Sequence, residues 1–150
     1  MYDNLVAFTK NHQYKKSFDT GVILLCVMKK DAIKKFSNGH YPYLIPSLVK
    51  KEAIGVLCND YTEAQALKEV NFVLDKLEIK VRGVSDHDIE RGRKRFHELR
   101  ARARKGVKFP GENDCVILAC MRRIGITHVA AADEPFIKEA RHIGFTVDVF

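Results

Sequence analysis

No apolar run in this 150-residue chain approaches the roughly 18 residues of a membrane span. The longest, Gly21–Met28, stops at Lys29-Lys30. The opening residues, Met1-Tyr-Asp-Asn-Leu-Val-Ala-Phe8, lack the basic start and long apolar stretch of a secretory leader. A cytoplasmic protein without a membrane partner is therefore expected. Cysteine is scarce and poorly spaced for metal. Of Cys26, Cys58, Cys115 and Cys120 only the last two are close, with four residues between them, and no histidine stands at zinc-ligand distance in sequence. Buried thiols are the expectation. The histidines, His12, His40, His87, His97, His128 and His142, are scattered, and none pairs with a Ser or Cys in a nucleophile motif. His128, inside a strand pattern, reads as structural. Internal repeats and low-complexity segments are absent.

What is present is the composition of a folded single domain: 46% hydrophobic and 30% charged residues. The net charge of +7 is concentrated in one place. Arg91 to Lys108 holds nine basic side chains and one acid, Glu98, while the rest of the chain has 17 basic and 18 acidic residues. Such a segment is the electrostatic footprint of a polyanion partner, with nucleic acid foremost, although a solvated helix face has the same composition. Phe96, Phe109 and Tyr41 are aromatic residues able to stack on bases, with Phe96 better placed for core packing.

Strand and helix patterns alternate. Strands are predicted at 14–18, 43–45, 79–81, 126–131 and 145–150. A short helix of uncertain role is expected at 2–10, and Ser37-Asn-Gly-His40 forms a turn cluster. Pro46-Ser47 opens a helix with Ser47 as its cap, Thr62 caps a second, and Ser85 or Asp86 caps a long one running to about Arg104. In the long helix Ile89, Gly92, Phe96, Leu99 and Ala103 make a narrow apolar stripe. A helix from Glu112 to Ile124 and another from Glu134 to Ile143 follow, with Gly125 and Gly144 at their ends. This alternation predicts a three-layer α/β/α fold with a mainly parallel central sheet. Residues 1–13 read as an N-terminal extension and 14–150 as one domain. Sites in such sheets lie outside the carboxyl ends of the strands.

Four acids stand at those places. Asp19 closes the first strand and Asp133 the fourth. Glu52 shares a helical stripe with Leu48, Gly55 and Val56, where an exposed acid has no reason to be. Asp114 shares a face with Ile117, Leu118 and Met121; taken alone, it reads equally as an acid stabilising the helix N-terminus. Carboxylates at strand ends and on apolar faces pack poorly, but they are good ligands for hard divalent cations.

At these residues the sequence resembles the PIN-domain nuclease family. The matching segments are Phe18-Asp-Thr-Gly-Val-Ile-Leu24, Ile45-Pro-Ser-Leu-Val-Lys-Lys-Glu52, Glu112-Asn-Asp-Cys-Val-Ile-Leu-Ala119 and Val129-Ala-Ala-Ala-Asp-Glu-Pro-Phe136. The resemblance spans about 14–150 and implies a metal-dependent ribonuclease. Asp19, Glu52, Asp114 and Asp133 would be the catalytic and metal-holding cluster for Mg²⁺ or Mn²⁺, with Thr20 supporting the first acid. RNA would be gripped by Arg91, Arg93, Lys94, Arg95, Arg100, Arg102, Arg104 and Lys105. Family members include toxins held inactive by a small antitoxin, and RNA-processing enzymes; a homodimer is a further expectation from the resemblance. Two departures stand out. Gly21 replaces a frequent Asn, and Ala131 replaces a frequent Ser or Thr, so two polar supports of the metal shell are missing. The alternative reading is accordingly a non-cleaving module of the same fold that binds RNA or a protein partner. Phosphatase and receiver readings fail at Gly21, where the former needs a second Asp, and at Asp19, which lacks the latter's second acid.

Overall fold

A computed structural model describes residues 15–37 and 42–150. The helix expected at 2–10, most of the turn cluster at 37–40, Tyr41, His12 and His40 lie outside these described residues. The strands are β1 (Lys16–Phe18), β2 (Leu44–Pro46), β3 (Lys80–Arg82), β4 (His128–Ala131) and β5 (Thr146–Val149). The helices are α1 (Thr20–Met28), α2 (Ser47–Leu57), α3 (Glu63–Lys76), α4 (Asp86–Arg102), α5 (Glu112–Arg123) and α6 (Glu134–His142), with a 3-10 helix at Lys30–Phe36.

All strand pairs are parallel: β2 with β3, β1 with β4, and β4 with β5. One bridge, Lys16 to Tyr43, joins the two sets. The strand order is thus β3-β2-β1-β4-β5. The chain leaves β1 toward β2 and β3, then returns on its other side as β4 and β5. That reversal opens a crevice at the carboxyl ends of β1 and β4, the usual place for a site in an open α/β sheet. The three-layer fold predicted from sequence is what forms. Helices α1, α2 and α3 pack together, and α4, α5 and α6 form the second group.

The sequence explains most element boundaries. Thr62 and Gln65 close a reciprocal capping box at α3, and Ser85 and Asp88 another at α4. Gly125 and Gly144 take φ of +83° and +105° just past α5 and α6, a backbone that side chains with a Cβ disfavour. The core is anchored by Phe18, whose ring meets those of Phe36 and Tyr43 edge-on at 5.1 Å each. Full burial of a side chain such as Ile23, Ile45 or Ile117 contributes about 1.5–3 kcal/mol.

Several details differ from expectation. Ser47 is the first helical residue of α2 and makes no capping bond; Pro46 occupies the cap and its fixed φ already sets the entry. The buried stripe of α2 is Val49, Ala53 and Leu57, so Glu52 lies beside it, half-buried, while Gly55 and Val56 are exposed. Helix α4 stops at Arg102, and Ala103 is exposed rather than the last residue of a buried stripe. Three cysteines are buried thiols, but Cys58 is exposed.

Helices α4 and α5 are antiparallel and in contact along their length. Asp88 meets Arg123 at 2.9 Å, Gly92 faces Val116, and Arg93 meets Glu112 at 2.7 Å. A Cβ on Gly92 would stand 2.4 Å from the Val116 Cα, so the crossing is as close as it is only because that side chain is absent.

Candidate active site

Asp19 follows β1 and caps α1. Its Oδ1 accepts from the Val22 amide at 2.8 Å, and its Oδ2 accepts from the amides of Ala132 (3.0 Å) and Asp133 (3.4 Å). One carboxylate thus ties the end of β1 to the turn after β4. Asp19 is only 4% exposed, and burial raises its pKa although the three amides act the other way. Asp133 caps α6, accepting from the Phe136 amide at 3.3 Å, and remains exposed.

Glu52 reaches the same place from the other side of the crevice. Thr20 Oγ1 donates to its Oε1 at 2.8 Å, and Asn113 Nδ2 donates to its Oε2 at 3.3 Å. Thr20 was expected to steady Asp19; its hydroxyl instead steadies Glu52, the acid that α1 faces across the crevice. Asp114 sits in the first turn of α5, half-buried. Its pKa is pushed up to about 6, first by burial and then by the charges of Glu52, Asp133 and Asp19.

These four acids, with Thr20, Gly21, Val56, Ile117 and Phe136, line one cleft of about 250 Å³. Among the described residues no three His, Cys, Asp or Glu side chains stand together as a ready-made metal cage. Asp19, Glu52 and Asp133 are each turned to protein hydrogen-bond donors on the cleft walls. The donor set nonetheless fits a divalent cation in kind, because it consists of carboxylate oxygens and carries an uncompensated negative charge that already disturbs Asp114. Among the described residues the cleft lining includes no imidazole or thiol, the ligands that a softer metal prefers.

The two departures from the family pattern take physical form. Gly21 is exposed at the cleft, and a Cβ there would lie 3.5 Å from Asp19 Oδ1, an ordinary contact. The glycine is therefore not required by space, and a polar side chain would reach Asp19. Ala131 is buried and contributes only a methyl group.

The eight cations expected to grip RNA stand in different surroundings. Arg93 pairs with Glu112. Arg95 is held by Glu139 through two bonds of 2.6 and 3.0 Å and by Glu98 at 3.4 Å. Arg91 and Lys94 border a separate recess of about 430 Å³ between α4, α5 and α6. Arg100, Arg102, Arg104 and Lys105 belong to a wholly exposed stretch, 100–108, and make no ion pair among the described residues. Phe96 packs its ring against Phe109 at 5.9 Å, so both are engaged within the protein.

Sequence reasoning missed Asn113. Its only signal was its place beside Asp114 in the first turn of a helix, which points a side chain out of the helix but does not say toward what. It also missed Arg123, whose guanidinium holds the buried Asp88 and reaches the Gly83 carbonyl at 2.9 Å.

This crevice at a parallel-sheet reversal, with acids from four different elements on its walls, sits in the PIN-domain fold. The chain is similar to VapBC from Salmonella typhimurium, solved bound to DNA (18% identity, 91% of this chain and 98% of that one, TM-score 0.66). It is similar also to VapBC2 from Rickettsia felis, solved bound to a DNA fragment from its promoter (14%, 89% and 97%, TM-score 0.63). A third similar structure is VapC20 from Mycobacterium tuberculosis, a toxin cleaving the sarcin-ricin loop (16%, 83% and 95%, TM-score 0.63). No family model matches the sequence, and no curated protein matches it. No helix among the described residues is long and apolar enough to cross a membrane.

Proposed function

We propose that the protein is an endoribonuclease that uses a divalent cation, Mg²⁺ or Mn²⁺, to hydrolyse phosphodiester bonds in RNA, and that it acts as the toxin of a toxin–antitoxin pair. The observation that carries this reading is the convergence of Asp19, Glu52, Asp114 and Asp133 from four elements onto one small cleft. The VapC fold neighbours, one of them a toxin that cleaves the sarcin-ricin loop, favour the toxin assignment and a small antitoxin partner.

The cation would be held by the four carboxylates. When bound, it supplies a water of lowered pKa and stabilises charge on the attacked phosphate. The chain's own residues do the rest. Asp19 stays fixed by three backbone amides and sets the floor of the cleft. Thr20 and Asn113 hold Glu52 on the opposite wall. Asp114, whose carboxyl is pushed up to about 6 by burial and by its acidic neighbours, is a group able to pass a proton there.

The test is cleavage of a mixed-sequence single-stranded RNA with Mn²⁺ or Mg²⁺, with and without EDTA, beside Asp19→Asn and Asp114→Asn. Cation-dependent cuts that fall at least about 10²-fold in either variant are expected. Undiminished cutting by both variants would remove the cluster from the chemistry. A second reading keeps its own observation: Gly21 and Ala131 leave Asp19 and Asp133 without side-chain support. It describes a module that binds RNA without cleaving, and RNA binding with no cuts under any cation would establish it.

A further inference from the structure

The basic run from Arg91 to Lys108 is divided by packing, and the division has a direction. Because α4 and α5 are antiparallel, with Gly92 against the Val116 backbone, the start of α5 at Glu112 is level with about Phe96, and α4 continues to Arg102, about six residues beyond it. At 1.5 Å per residue that overhang is about 9 Å long. The start of α5 is where Asp114 lies, in the first helical turn. The overhang therefore projects beyond the end of α5 that carries Asp114.

Its composition changes along its length. The proximal cations, Arg93 and Arg95, are spent on Glu112, Glu98 and Glu139. The distal stretch, residues 100–108, is exposed at every position and carries Arg100, Arg102, Arg104, Lys105 and Lys108 with no acid. None of these five has an ion-pair partner among the described residues. Val107, 51% exposed, is the one large apolar side chain there, so the stretch offers little for docking a hydrophobic partner. Five like charges held close together repel one another, and a projection built this way gains most from a flexible polyanion.

Resting on the nuclease reading above, we infer that the end of α4 and the turn after it form an arm that holds the RNA strand alongside the cleft. Arg100, Arg102 and Arg104 are its main phosphate contacts, and Arg93 and Arg95 are structural. The helical part of the arm matches about three nucleotides of a stacked strand at 3.4 Å per phosphate. Its contacts are to the backbone, so it supplies affinity and register without reading sequence.

The experiment compares wild type with the triple variant Arg100→Glu/Arg102→Glu/Arg104→Glu. A second triple, Lys34→Glu/Lys35→Glu/Lys138→Glu, makes the same charge change on surfaces away from the arm. Binding of a fluorescent 12-nucleotide single-stranded RNA is measured in EDTA across a salt series, and cleavage is then measured with Mn²⁺. The arm variant is expected to bind at least about tenfold more weakly, with the log–log salt slope shallower by about 2, as three lost contacts to a single strand require. Its KM rises while kcat at saturating RNA is kept, and the second triple loses less than the first in both respects. Equal losses in the two triples would reduce the effect to net charge and overturn the arm. Wild-type RNA affinity in the arm variant, with cation-dependent cleavage intact, would overturn the arm and leave the nuclease reading standing. Intact RNA affinity together with lost binding of a poly-glutamate peptide would assign the arm to an acidic protein instead. A wild-type protein that neither binds nor cuts RNA would overturn both.

Discussion

Asp114 carries a cost in stability at neutral pH. Its carboxyl has a pKa near 6 in the folded chain against an ordinary value of 3.8, because burial and three neighbouring acids disfavour its charge. The folded state therefore holds this proton more tightly than the unfolded state does. The stability it allows is fully present below about pH 4 and is lost as pH rises through about 6. In EDTA, Asp114→Asn is expected to melt above wild type at pH 7.5 and to show no such gain at pH 4; melting curves across that range check it. A variant less stable than wild type at pH 7.5 would mean that the acid is structurally favourable. At this scale the sequence was legible where position alone implies role. Asp19 and Asp133 close strands, Asp114 stands early in its helix and Glu52 in the middle of one, so all four could be named from the sequence. Which donor serves which acid was not legible. Thr20 adjoins Asp19 in the chain but serves Glu52, 32 positions away, and Asn113 reaches Glu52 over 61 positions. Such pairings are set by how helices lie against each other, which local pattern does not encode.

Among the elements, the α4–α5 pair carries both Asp114, in α5, and the exposed basic stretch at the end of α4. Their separation is fixed by Gly92, whose missing side chain admits the Val116 backbone. Gly92→Ala would gain helix propensity in isolation, yet a methyl group placed 2.4 Å from a backbone atom forces the helices apart. A net loss of about 3 kcal/mol is expected, read as a fall in melting temperature of roughly 10 °C. An unchanged melting temperature would show that the crossing is loose. The apolar period of α4 revealed that Gly92 lies on the inner face, and the two capping boxes revealed where α3 and α4 begin. The period could not reveal that the charges of α4 fall into separate classes. Glu112 and Glu139, which take up Arg93 and Arg95, come from two later helices, 19 and 44 positions on, and the sequence shows a single run of positive charge. The stripe assigned to Glu52 failed for a related reason: α2 buries the adjacent face, Val49, Ala53 and Leu57, and leaves Glu52 at its edge where the cleft begins.

For the whole molecule, the four acids belong to four places that no single element spans: the end of β1, the middle of α2, the start of α5 and the end of β4. A cation held by these acids would tie both helical groups to the sheet. Ligand binding to the folded state stabilises by about 2.7 kcal/mol at 100 times the Kd. Mn²⁺ is accordingly expected to raise the melting temperature at pH 7.5 by several degrees, and Asp19→Asn to abolish most of that rise. Differential scanning fluorimetry with and without EDTA measures it, and a cation shift that survives in the variant would place the ion elsewhere.

The pairing of β1 with β4 joins Ser17 to Val129, so the first strand waits for nearly the last one before the sheet closes. During synthesis, Asp19 and Glu52 emerge long before Asp114 and Asp133. A nascent chain thus carries half of the acids with no cleft to put them in, and the crevice cannot close until the ribosome has made the chain through β4.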